Sequence, residues 1–220
     1  MNSVQILYEN DEIFLINKPS GLPVQGGENI SHSLDKDFSL QVGYKIYLVH
    51  RLDKDTSGLM VVAKNPVAAN KWTKLIGSKK VNKEYVAICF GKITPLKGVI
   101  KDDLTQHGQN KTAQTRYNVE NEWLYETEQC KLQFSKIRLF LDTGRMHQIR
   151  IHLAKQGCPL AGDDQHGNFK LNKIAKKELK IKKFLLCSQK ITIPVIENNR
   201  EVLKTYEINL PDYMQIPQNL

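Results

Sequence analysis

Two short stretches hold most of the side chains in this sequence that could carry chemistry. The first is His50-Arg51-Leu52-Asp53-Lys54-Asp55-Thr56-Ser57-Gly58, which runs directly into the apolar segment Leu59–Ala63. Polar groups on a loop that a strand holds rigid are a common catalytic arrangement. A carboxylate here is open to several uses: with Asp55 it could coordinate Mg²⁺, alone it could act as general base or nucleophile, or it could cap a turn. The second stretch is Asp142-Thr143-Gly144-Arg145-Met146-His147-Gln148-Ile149-Arg150-Ile151-His152. On a helix Arg150 falls three residues after His147 and shares its face, while Ile149 and Leu153 share another that can pack on a sheet. The cationic side is then either a solvated basic face or an arginine aimed at a carboxylate or a phosphate.

Metal-centred chemistry fits poorly. His147 and His152 miss the i, i+4 spacing of a helical zinc pair and have no HExxH glutamate, and Cys89, Cys130, Cys158 and Cys187 form no CxxC. Without a secretion signal, four such cysteines are expected to be reduced, buried thiols.

Around these stretches the punctuation of the sequence sets out the elements. Gln5–Glu9 and Ile13–Asn17 predict strands, ended by Lys18-Pro19-Ser20-Gly21. A short helix is expected after Ser31–Ser33, then strands at Ile46–Val49 and Leu59–Lys64. Asn65-Pro66 supplies an N-cap and a first-turn proline for a helix reaching Gly77. Glu84–Phe90, Ala113–Val119, Leu132–Leu141, Phe184–Ile193 and Val202–Leu210 predict further strands, with a helix over Arg145–Gln156 closed by Gly157 and Pro159. The expectation is an α/β chain of the α+β type, a mainly antiparallel or mixed central sheet flanked by helices, with residues 1–220 forming a single domain.

The chain has 220 residues, 40% of them hydrophobic, and 32 Lys+Arg against 23 Asp+Glu give a net charge of +9. Disorder throughout is excluded, and a polyanionic partner is favoured, either nucleic acid or an anionic membrane surface. No apolar run approaches the roughly 20 residues that cross a bilayer, and Glu9, Asp11 and Glu12 stand where a signal peptide would be apolar, so a cytoplasmic chain with no membrane partner is expected. Lys170–Lys183 is a biased segment, with lysines at 170, 173, 176, 177, 180, 182 and 183 against Glu178 alone. It is either a solvated surface helix or loop, or an arm that contacts phosphates.

Taken together, Ile6-Leu7-Tyr8-Glu9 through Asn17-Lys18-Pro19-Ser20-Gly21-Leu22, His50-Arg51-Leu52-Asp53 with Thr56-Ser57-Gly58, Lys83-Glu84-Tyr85-Val86-Ala87, Thr143-Gly144-Arg145 with His147-Gln148-Ile149-Arg150-Ile151-His152, and Gly162-Asp163 follow one another in an order that resembles the RluA-type pseudouridine synthases. The resemblance implies an RNA uridine isomerase. Such enzymes break the bond between uracil and ribose, turn the base and rejoin it through carbon, with no cofactor and no metal. By position in HRLD the catalytic aspartate is Asp53. Arg51 is then expected to assist base extrusion or hold the RNA backbone, Tyr85 to lie against the uracil, and Arg150 to pair with Asp53. The roles suit the groups: a guanidinium stays charged and directs a carboxylate through paired donors, and a phenol ring offers a face on which a pyrimidine stacks.

Met146, Cys158 and Cys187 depart from the usual family residues and put packing around the site in doubt. Many members of that family carry an S4 domain before the catalytic part; here the first matching block begins at about Val4, so no N-terminal S4 domain is expected, and the chain is expected to be a monomer with no obligate protein partner. Gly162-Asp163-Asp164-Gln165-His166-Gly167 is closer to the form of members that modify tRNA, which leaves tRNA and rRNA both open as partner. Two other functions compete: a metal-dependent nuclease using Asp53, Asp55, Asp163 and Asp164, and a non-catalytic RNA-binding module. Arg51 and Lys54 would oppose a dication at the first.

Overall fold

The structure, a computed structural model, describes residues 3–28, 30–106 and 108–217. The chain divides into two compact units, Met1–Lys83 with Ser188–Asn209, and Glu84–Cys187 with Leu210–Leu220.

The first unit contains β1 (Gln5–Glu9), β2 (Ile13–Lys18), α1 (Leu34–Val42), β3 (Tyr47–Leu48), β4 (Ser57–Ala63), α2 (Pro66–Gly77), most of β9 (Leu186–Glu197) and β10 (Arg200–Glu207). Its strands lie in the order β1-β2-β4-β9, with β10 on β9 and β3 on β4. All seven residues of β4 are buried. That is why its sequence is an unbroken apolar run: a strand covered on both faces has no polar side to alternate with. One face packs Leu59, Val61 and Ala63 with Ile13, Leu15, Ile191 and the α2 residues Ala68 and Trp72, and on β2 Phe14 meets Phe38 of α1 edge-on at 5.2 Å. The start of α2 is the predicted one, Asn65 accepting from the Ala68 amide with Pro66 in the first turn, a cap worth about 1 kcal/mol.

Antiparallel pairing sets Lys18 opposite Gly58, so the end of β2 faces the start of β4. Gly58 has φ +110°, and a Cβ there would lie 2.3 Å from the Ser188 carbonyl oxygen of β9. The last residue of the HRLD-to-glycine block is thus fixed by the approach of two backbones. Gly58→Ala is expected to cost at least ~3 kcal/mol of stability, whereas Gly21→Ala, also at positive φ but with nothing within 4 Å, should cost about 1 kcal/mol. Thermal unfolding of the two variants checks this, and equal losses would refute the steric account.

In the second unit β5 (Asn82–Phe90, from Glu84 onward), β6 (Lys97–Gln106), β7 (Gln109–Glu126) and β8 (Lys131–Leu141) run antiparallel in the order β5-β8-β7-β6. α3 (Gln148–Lys155) and α4 (Phe169–Glu178) follow. Strand β6 is not among the predicted ones. It stands at the end of this strand order and carries Lys101, Asp102 and Asp103, and among its described side chains only Ile100 and Leu104 are well buried, so the apolar alternation that reveals inner strands is absent. Strand β7 likewise extends at both ends beyond the predicted Ala113–Val119, through residues none of which is fully buried. Of the four cysteines, three are buried free thiols as expected, and Cys130 is half-exposed because it lies in the β7–β8 turn.

Candidate active site

The loop His50–Thr56 enters β4 of the first unit and is fixed from below by a residue to which no local pattern gives a role. Lys18, at the end of β2, is fully buried, and its Nζ donates to the carbonyl oxygens of Pro19 (2.9 Å), Leu22 (2.8 Å) and Lys54 (2.8 Å). Burial pulls this ammonium down to about 7, and the Asp55 and Asp53 carboxylates oppose the loss of its proton. All three ammonium hydrogens are used. A neutral amine would bring two hydrogens and a lone pair to three carbonyl oxygens, so the arrangement is built for the charged form. The Gly21 amide also donates to the Lys54 carbonyl, and Thr56 donates its amide to the Asp53 carbonyl, closing a turn around the aspartate.

His50 heads the loop as a structural acceptor. Its Nε2 takes the Val61 amide at 3.0 Å. Burial first, and the nearby Lys83 second, push its pKa well below the ordinary histidine range, so the imidazole is neutral and serves to hold β4. Leu52 and Thr56 point inward, Arg51 is exposed and Asp53 is partly buried. The loop therefore presents a cation and a carboxylate from a backbone anchored on both sides.

In the second unit Tyr85 lies on β5 opposite Leu139 of β8 and is 4% exposed. Arg150 lies on α3, whose start is built by Gln148. The Gln148 Oε1 accepts from Thr143 Oγ1 (2.7 Å) and the Arg145 amide (3.0 Å), and its Nε2 donates to Thr115 Oγ1 and the Gln114 carbonyl, both 2.9 Å. Every polar valence of that buried amide is used. His152, one turn on, meets Thr115 Oγ1 at 2.9 Å, so Gln148 and His152 bind α3 to β7 and Arg150 points away from them.

This alters the expected helix. It begins at Gln148 instead of Arg145, because His147 is in the left-handed region at φ 54°. His147 thus does not share a helical face with Arg150 by phase. Both nevertheless reach the turn after Gly162: His147 Nδ1 lies 3.0 Å from His166 Nε2, and Arg150 forms a two-pronged pair with Asp163, Nε to Oδ2 at 2.7 Å and Nη2 to Oδ1 at 2.8 Å. Arg150 is not a solvated cation, being 7% exposed, with Asp163 at 1% and the Phe184 ring 5.0 Å from its guanidinium carbon. Burial acts to raise the Asp163 carboxyl. The Arg150 hydrogen bonds and charge, with the His166 and Gln165 amides, outweigh it and hold the carboxyl below its usual range.

The turn is itself tightly determined. Asn172 accepts the Gly162 amide and donates to the Asp163 carbonyl, and a Cβ on Gly162 would fall 2.3 Å from the Lys183 carbonyl oxygen. Asp163 is legible in the sequence only as part of a motif. Its partnership with Arg150 needs the fold, since thirteen residues and a chain reversal separate them.

Among the described residues no three His, Cys, Asp or Glu side chains gather as a metal site requires, and Asp163, a ligand in the nuclease alternative, is committed to Arg150. No helix there is long and apolar enough to cross a membrane. Of the departures from the motif pattern, Met146 is exposed, while Cys158 and Cys187 are fully buried and fill core space.

Residues 12–155 match the family model described as RNA pseudouridylate synthase. A ribosomal large subunit pseudouridine synthase C of Rickettsia bellii is 39% identical over 178 residues, 78% of this chain and 59% of the relative. A ribosomal large subunit pseudouridine synthase D of Blochmanniella floridana is 34% identical over 196 residues, 83% of this chain and 60% of the relative. The chain thus spans about three fifths of the length of these curated relatives. In fold it is similar to human RNA pseudouridylate synthase domain containing 1, with a TM-score of 0.75 at 21% identity covering 99% of this chain and 90% of the other.

Proposed function

The chain belongs to the RNA pseudouridylate synthase family, and from that membership we propose that it isomerises uridine in RNA to pseudouridine with Asp53 as the nucleophile. In this reading residues 1–220 act as one catalytic domain in the cytoplasm. The carbon–nitrogen bond between ribose and uracil breaks, the base turns, and a carbon–carbon bond forms. The proton lost from that ring carbon is balanced by one gained at the ring nitrogen, so nothing is consumed. The observation that carries the proposal is the Lys18 clamp: one buried ammonium ties the Lys54 carbonyl, next to Asp53, to the Pro19 and Leu22 carbonyls of the turn after β2. A nucleophile must be held in place before its substrate arrives, and this loop is held.

Tyr85 would supply a face for the uracil, an interaction worth ~1–3 kcal/mol in single-stranded RNA. Arg150, directed by Asp163, would hold charge near the reacting carboxylate, and exposed Arg51 would take the RNA backbone or the space the base vacates. Relatives named for the ribosomal large subunit favour rRNA of that subunit as substrate over tRNA.

Single-nucleotide pseudouridine mapping of total RNA from cells with and without the gene tests both levels. Loss of pseudouridine at one or a few large-subunit rRNA positions is expected. Loss confined to tRNA would overturn the substrate, and loss nowhere, in RNA or with purified protein on transcripts, would overturn the activity.

A further inference from the structure

The lysine segment forms a surface whose place in the second unit is fixed at both ends. Helix α4 carries Lys170, Lys173, Lys176 and Lys177, all exposed, and at ~100° per residue they occupy one arc of about 120° that avoids the buried Asn172 and Ala175. Glu178, the acid of this helix, is paired with Lys177 at 3.3 Å. Ordinary surface helices interleave charges of both signs. Here Lys170–Lys173, Lys173–Lys176 and Lys173–Lys177 are like-charge neighbours at i, i+3 or i, i+4, each costing about 0.2–0.5 kcal/mol until an anion relieves it.

Beyond the helix the chain turns at Lys180, in the left-handed region at φ 57°, and Lys180, Lys182 and Lys183 remain exposed. With Tyr213 and the chain around it they line a cleft of about 340 Å³, at the small end of the range for ligand pockets. Asp212 is the acid on its wall, against three lysines. Lys183 Nζ stands 5.0 Å from the centre of the Tyr213 ring. The segment then joins the candidate site: the Lys183 carbonyl packs on Gly162, and Phe184 lies beneath Arg150.

We propose that this cleft and the lysine face of α4 form one docking surface for the sugar-phosphate backbone of RNA outside the target nucleotide, a role that rests on the RNA-modifying function proposed above. The charge calls for a polyanion, and continuity with the Gly162–Asp163 turn places it where RNA bound at Arg150 continues. A membrane fits less well. An interfacial helix turns apolar residues outward, whereas here Ala175 faces inward and Phe169 is the helix's exposed large apolar residue.

The test uses the full chain and a 20-nucleotide oligoadenylate, which contains no uridine and so reports on this surface apart from the reaction. For Lys180→Gln/Lys182→Gln/Lys183→Gln the dependence of log K on log salt should flatten by ~0.7 for each phosphate no longer neutralised, with binding roughly tenfold weaker near physiological salt. The corresponding Lys→Arg triple variant should keep the wild-type slope. On a transcript containing the target uridine, the Gln variant should raise KM and leave kcat within about twofold. An unchanged slope in a Gln variant that melts like the wild type overturns the proposal, as does lysine-dependent binding to phosphatidylserine vesicles with none to oligoadenylate. Lysine-insensitive binding by an enzyme that makes pseudouridine refutes this surface alone. A protein that binds oligoadenylate through these lysines yet makes no pseudouridine refutes the activity alone.

Discussion

Asp53→Asn should reduce isomerisation by roughly 10⁴-fold or more, the scale of removing a nucleophile, while RNA affinity stays within about threefold. The substitution keeps the side chain's shape and removes its charge. The backbone bonds that close the turn, from the Thr56 amide to the Asp53 carbonyl and from Lys18 to the Lys54 carbonyl, do not depend on the carboxylate. Asp55→Asn is the comparison: Asp55 also acts electrostatically on Lys18 but is given no step in the reaction, so it should retain most of the activity. Single-turnover assays with enzyme in excess, alongside equilibrium RNA binding, separate the two effects. Turnover near the wild-type rate in Asp53→Asn would end its assignment as nucleophile, and equal losses in both variants would assign the carboxylates to the loop's structure instead.

Arg150 and Asp163 carry the second large effect. Removing one partner of a buried, two-pronged ion pair takes from the other charge the bonds that offset its burial, and either Arg150→Met or Asp163→Asn should cost ~3–5 kcal/mol. Replacing both, as Arg150→Met/Asp163→Asn, removes both charges, keeps a side-chain oxygen to accept the His166 and Gln165 amides, and should recover much of that loss. Activity should not return with it, because the guanidinium proposed to hold charge near the reacting carboxylate is gone. A double variant that regained both stability and activity would show that Arg150 only holds the fold.

The pair also sets an acid limit. The Asp163 carboxyl lies below its ordinary value when folded, so as pH falls the unfolded chain takes up the proton first. Its contribution is complete above the unfolded carboxyl's pKa near 4 and disappears as pH falls through the lower folded value. Denaturant unfolding from pH 6 downward should show a shallower loss of stability in Asp163→Asn than in the wild type.

How far the sequence discloses the molecule depends on what each residue answers to. The second helix is legible to the residue because Asn65 and Pro66 act locally, and β4 is legible because burial on both faces leaves an apolar run. Helical phase misplaces His147 because it assumes a helix there, and the Gln148 side chain starts this one three residues late. The HRLD and HQIRIH blocks stand out in the sequence as dense in polar groups, yet nothing in them tells that His50, Gln148 and His152 are braces. Lys18 reads as a polar residue at a strand's end before a proline turn. Its role depends on the carbonyl of Lys54, 36 positions away, and no local pattern encodes that.

That separation of 36 bears on the order in which the molecule assembles. The ammonium closes a long loop and must shed its water to do so, and both demands are unfavourable until β2 and β4 have already paired. The core of this unit is therefore expected to form with the Asp53 loop still open, and the clamp to engage on the native side of the folding barrier. Interactions made after the barrier govern how fast a protein comes apart more than how fast it comes together. The Asp53 loop is accordingly expected to be the last part of its unit to lock and the first to release, and a weakened clamp to be felt as a shorter lifetime of the folded loop, with the rate of folding little changed.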